Sequence, residues 1–119
     1  MRHRWTAPRA LALAGSLLFA AAGCTPRVRA AVVNASGARL TELRIAAEQD
    51  STPVPALAPG ESVAVRARVR GEDEIALRGR CAGRPLQPAM AAYVEPGYGA
   101  RFVVDSLGTV HVVVSAASN

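Results

Sequence analysis

Residues 61–70 read ESVAVRARVR, and they constrain the fold more than any other stretch of the chain. Val63, Val65, Ala67 and Val69 fall at every second position, with Ala64, Arg66, Arg68 and Arg70 between them. In an extended strand successive side chains point to opposite faces, so this segment has one apolar face and one cationic face. A helix would scatter the same residues around its circumference. The segment therefore belongs to a sheet that covers a core on one side and meets water on the other. Residues 74–81 (EIALRGRC) repeat the pattern, with Ile75, Leu77, Gly79 and Cys81 inward and Ala76, Arg78 and Arg80 outward.

The rest of the chain after residue 27 follows the same logic. Residues 28–34 form a first apolar run, closed by the turn cluster Asn34-Ala35-Ser36-Gly37. Residues 40–48 alternate again, with Leu43, Ile45 and Ala47 on one side. Residues 50–60 hold Pro53, Pro55, Pro59 and Gly60 and read as a loop, with a short edge strand near residues 54–57. Residues 87–94 end a further strand near Tyr93, and Pro96-Gly97 turns the chain. Residues 100–105 and 109–115 flank Ser106-Leu107-Gly108 as a hairpin, which brings Phe102 and Val104 against Val110, Val112 and Val114.

About seven short strands, with turn signals every 8–12 residues and no helical segment among them, predict an all-β fold. The expected architecture is a small antiparallel β-sandwich, immunoglobulin-like or transthyretin-like in shape, over residues 28–119. A small open barrel is the alternative. The Cys…Trp…Cys pattern of antibody domains is absent, because the single Trp is Trp5.

The first residues obey different rules. Residues 1–9 hold three Arg and no acid, and residues 10–22 form an uncharged run of thirteen. A membrane span needs about 20 apolar residues, so this run is short for a permanent anchor. A basic start, a short apolar helix and then small residues is the layout of a secretory signal peptide. Ala21-Ala22-Gly23-Cys24 closes it. This ending resembles the lipobox of bacterial lipoproteins, with Ala21 where that family prefers Leu. The resemblance concerns processing, and it implies diacylglycerol on the Cys24 thiol, cleavage before Cys24 and acylation of the new amine. It divides the chain into a lipoprotein signal peptide at residues 1–23, a short tether at residues 24–27 and the sandwich. It also implies a membrane anchored through Cys24 as a partner. Thr25, in place of the Asp that retains such proteins at the inner membrane in enteric-type bacteria, points to the periplasmic face of the outer membrane. The alternative is cleavage before Gly23 after the A-x-A run of residues 20–22. That would leave a soluble secreted or periplasmic binding domain closed by a Cys24–Cys81 disulfide.

Charge narrows the function classes. The chain has 14 basic residues, all Arg, against 9 acidic ones. Three of the Arg lie in the signal, so the mature chain carries 11 − 9 = +2. That balance disfavours a nucleic-acid-coating role. Only two His and two Cys occur in the whole chain, so no zinc site and no metal or other cofactor is expected. Catalytic residues are not expected either. Ser106 or Ser115 with His111 and Asp105 supplies the residue types of a hydrolase only nominally. Glu72-Asp73-Glu74 reads as a solvated turn, Tyr93 and Tyr98 as caps on the end of the core, and Cys81 as a buried small residue. The most informative surface is an Arg cluster. If residues 61–70 and 74–81 pair as a hairpin, Arg66, Arg68, Arg78 and Arg80 share one face. Guanidinium forks suit phosphates and carboxylates, so this face is expected to bind an anionic envelope component or another envelope protein.

Overall fold

The structure, a computed structural model, describes residues 26–116. It is an all-β sandwich of ten strands. The first sheet has the order β4-β1-β9-β10-β7. Its members are β1 (Arg27–Asn34), β4 (Ser62–Arg68), β7 (Gln87–Pro88), β9 (Tyr98–Val104) and β10 (Thr109–Ala116). The second sheet runs β3-β2-β5-β6, with β8 also paired to β5. It comprises β2 (Leu40–Ala46), β3 (Ser51–Pro53), β5 (Asp73–Cys81), β6 (Arg84–Pro85) and β8 (Ala92–Val94).

The core between the sheets includes the predicted inward residues Leu43, Ile45, Ala67, Val69, Ile75, Leu77, Phe102, Val104 and Val110, while Val63, Val65, Val112 and Val114 are only partly buried against it. Val28, Ala30, Val32, Ala100, Phe102, Val104 and Val110 come from the first sheet, and Leu40, Leu43, Ile45, Ile75 and Leu77 from the second. Phe102, at 1% exposure, is the largest of the fully buried side chains. Burying an aliphatic or aromatic side chain of this kind contributes about 1.5–3 kcal/mol, which is what holds two such thin layers together. The described strands and the core they enclose lie within residues 26–116.

Three features depart from the expected pattern. First, β4 and β5 do not pair as a hairpin. β4 lies antiparallel to β1, and β5 lies antiparallel to β2, in the other sheet. The turn at residues 69–72 therefore crosses between layers. Second, the first sheet is mixed, because β1 runs parallel to β9. Parallel neighbours need a long connection, and here it contains every strand of the second sheet together with β4 and β7.

Third, β2 bulges between Thr41 and Arg44, with Glu42 at φ 53°. The extra residue lets Leu40 and Leu43, three positions apart, both reach the core. Opposite the bulge stands Gly79, at φ +154°. A Cβ there would lie 2.7 Å from Leu43 Cδ2 and 2.9 Å from the Thr41 carbonyl oxygen, so only glycine fits. The edge strand expected at residues 54–57 appears instead as β3, and Leu57 makes a single bridge to Leu40.

One polar side chain is fully enclosed. Asn34 ends β1 with no exposed surface. Its Nδ2 donates to the carbonyls of Ala38 (2.7 Å) and Leu57 (3.1 Å). Its Oδ1 accepts from the Ser36 amide (3.0 Å) and hydroxyl (2.6 Å). All four bonds fix the crossing from the first sheet to the second.

Candidate functional site

The pairing of β4 with β1 redistributes the Arg cluster. Arg66 and Arg68 project from the outer face of the first sheet, directly opposite Arg29 and Arg27 in the antiparallel register. Arg101 stands on the same face of β9, beside Ala31. Five exposed guanidinium groups thus share this surface. Arg78 and Arg80 do not. They lie on the outer face of the second sheet, where Arg78 faces Arg44 and the Arg80 Nε pairs with Glu42 at 3.2 Å. The four-Arg face expected from sequence is therefore split between the two sides of the sandwich, because it rested on a hairpin that does not form. Arg27, Arg29 and Arg101 were legible as outward residues but not as neighbours of Arg66 and Arg68.

Apart from the imidazole of His111, the remaining outward positions of β1, β4, β9 and β10 are small, apolar or hydroxylated. They are Ala31, Val33, Ser62, Ala64, Gly99, Val103, Thr109, Val113 and Ser115, in cross-strand rows. No outward position on these four strands carries an acid. A shallow recess of about 550 Å³ lies across β1, β9 and β10, bordered by Arg29, Arg101, Val113 and Ser115 with Gly99 at its floor. None of the five Arg side chains has an acidic partner among the described residues.

His111 meets Asp105 at the margin of this face, with 2.8 Å between Nε2 and Oδ2. Asp105 is first of all a turn residue. Its Oδ1 accepts from the amides of Leu107 (2.9 Å) and Thr109 (3.0 Å). The hydrogen bond from His111, then the Thr109 amide, hold its carboxyl below the usual range. Ser115 lies four residues farther along β10, roughly 13 Å away and beyond hydrogen-bond reach of His111. The Ser106 hydroxyl is not among the partners of His111 in the described residues.

The acidic triplet is not a uniformly solvated turn. Asp73 is buried at 4% exposure, where its carboxylate accepts from the amides of Glu48 (3.0 Å) and Arg70 (3.3 Å). Glu72 and Glu74 remain outside and border a recess of about 510 Å³ with Glu48 and Tyr93. Nor do the tyrosines cap the core, since Tyr93 is 62% and Tyr98 38% exposed. Glu74 faces Tyr93 across the β5–β8 pairing. A hydrogen bond with its carboxylate raises the Tyr93 phenol above its ordinary value.

Cys24 lies outside the described residues. Cys81 has no disulfide partner among the described residues and is half-buried rather than buried. It pairs with Leu40 and sits beside Gly108, at the end of the sandwich where β1 finishes. Arg27 begins β1 at the other end.

No family model matches this chain, and no curated protein matches it. Among solved structures, the NMR structure of a protein from Eubacterium rectale resembles it over 78% of this chain and 92% of that one, with a TM-score of 0.51 and 11% identity. At that identity the likeness concerns the fold alone.

Proposed function

We propose that this chain is a lipid-anchored protein of the cell envelope. Acyl chains on Cys24 hold it at the periplasmic face of the outer membrane, and its sandwich is a non-catalytic binding or structural module. The observation that carries this reading is the ending Ala21-Ala22-Gly23-Cys24 after the uncharged run of residues 10–22, and the connection from there to the domain is short. β1 opens at Arg27, three positions after Cys24. Three residues reach about 10 Å when extended, so the domain stands directly on the headgroups. Two or more acyl chains give stable anchoring where one gives marginal binding.

The same distances weigh against the soluble alternative. β1 spans seven residue steps, roughly 23 Å, from Arg27 to Asn34. Cys81 lies near Asn34 or beyond it, because it lines the same recess as Gly108, two residues past the Val110 that is level with Asn34. A disulfide requires Cα atoms within about 7 Å. A three-residue tether adds only about 10 Å, which leaves Cys24 short of Cys81.

Replacing Cys24 by Ser and growing cells with labelled fatty acid tests the proposal. The unsubstituted protein should carry label and sediment with membranes, and Cys24→Ser should lose both. Unlabelled, soluble protein from the unsubstituted chain would overturn the reading.

A further inference from the structure

The outer face of the first sheet is charged far out of proportion to the protein. It holds five of the eleven Arg of the mature chain and none of the nine acids at its outward strand positions. The remainder of the mature chain has six Arg against nine acids, so the molecule is strongly dipolar although its net charge is small. Such a distribution orients a protein toward an anionic surface.

The placement also opposes stability. Arg29 faces Arg66, and Arg27 faces Arg68, directly across the β1–β4 pairing. Like charges opposite one another destabilise a sheet. β4 is an edge strand, and charged side chains on an edge deter unwanted pairing. Edge protection accounts for Arg66 and Arg68. It does not account for Arg29 and Arg101, which sit on the interior strands β1 and β9. Those two flank Gly99, whose missing side chain leaves the floor of the recess open between them. Ser115 offers a hydroxyl and the two-thirds-exposed Val113 an apolar contact at the same place.

We propose that this face docks flat on the membrane, with Arg27, Arg29, Arg66, Arg68 and Arg101 engaging the phosphates of anionic lipid headgroups, one of them seated between Arg29 and Arg101 over Gly99. Guanidinium forks bind phosphate oxygens in pairs, and Val113 meets the headgroup boundary. The anchor proposed above brings the membrane within reach, because β1 begins at the tether and its Arg residues lie along the sheet from there.

The test uses residues 24–119 carrying Cys24→Ser, which contain all ten described strands and no lipid. Failure here leaves acylation of Cys24 untouched, and absence of a lipid there leaves docking untouched. The protein should sediment with vesicles of phosphatidylcholine and phosphatidylglycerol, not with phosphatidylcholine alone, and rising salt should release it. Each Arg near the surface contributes about fivefold, so Arg29→Gln with Arg101→Gln should weaken binding on the order of 30-fold. Arg66→Gln with Arg68→Gln, a second pair on the same face, should do likewise. Arg78→Gln with Arg80→Gln, on the opposite face, should change binding less than about twofold. Three results would overturn the proposal. They are equal binding to both vesicle types, equal loss from the two faces, and binding of inorganic phosphate over Gly99 without any preference for anionic vesicles.

Discussion

Asn34 is where a single side chain should matter most to stability. Asn34→Ala removes four hydrogen bonds, two donated by Nδ2 and two accepted by Oδ1. Each is worth about 1 kcal/mol net. The loss is moderated because no carbonyl is left without a donor. The Leu57 oxygen keeps the Leu40 amide at 2.9 Å, and the Ala38 oxygen, 3.0 Å from the Ser36 hydroxyl, can take the proton which that hydroxyl no longer gives to Asn34. The expected cost is therefore about 3 kcal/mol, which in a domain of this size lowers Tm by roughly 12–24 °C. Asn34→Asp is the sharper variant. It keeps the acceptor toward Ser36 but sets a carboxylate oxygen against the Ala38 and Leu57 carbonyls. Burial raises that carboxyl above its ordinary value, so the folded state holds a proton that the unfolded state has released above about pH 4. The variant should match Asn34→Ala or better it at about pH 4, where its O–H can donate to one carbonyl, and fall progressively below it toward about pH 7. Thermal unfolding followed by circular dichroism reads both. An Asn34→Ala loss under about 4 °C, or an Asn34→Asp penalty that is flat with pH, would refute the enclosure of this side chain.

Three further outcomes are expected. Arg66→Thr should raise stability by a few tenths of a kcal/mol at low salt by removing the opposition to Arg29, and the gain should vanish at high salt in parallel melts. Gly79→Ala should cost about 2–4 kcal/mol, because its Cβ would collide with Leu43 and with the Thr41 carbonyl at a φ that L residues rarely adopt. The Asp105 carboxyl is depressed, so its contribution is complete above its unfolded pKa and is lost as pH falls through the lower folded one. Asp105→Asn should therefore flatten the acid limb of the stability curve below about pH 4, as read from melts across that range.

Which residues face the core was legible from alternation. Ile75, Leu77, Phe102, Val104 and Val110 are buried as their spacing required, and the β9–β10 hairpin follows from the Gly in its turn. Alternation assigns a face but not a neighbour. Segments 61–70 and 74–81 read as two adjacent strands with a turn between them. In the folded chain that turn is a crossing between layers, and Asp73 is drawn inward to hold the amides of Glu48 and Arg70. The parallel pairing of β1 with β9 joins residues some seventy positions apart, which no local signal encodes. That pairing brings Arg101 beside Arg27 and Arg29, and the β1–β4 pairing adds Arg66 and Arg68. The bulge in β2 was hidden because an inserted residue breaks the period that strand recognition relies on. Tyr93 turned out exposed for a related reason. β8 is short and lies outside the main strand order of the second sheet, so its outward side chain has no layer above it.

Whether Cys24 carries lipid is read from the intact mass of the mature protein from a membrane fraction, taken with and without reductant. Anchoring through Cys24 requires a chain that begins at Cys24, carries the added mass of its acyl chains and does not change on reduction. A lipid-free chain that begins at Gly23 and gains two hydrogens on reduction would contradict it, and would require Cys24 to reach Cys81 at the far end of the sandwich.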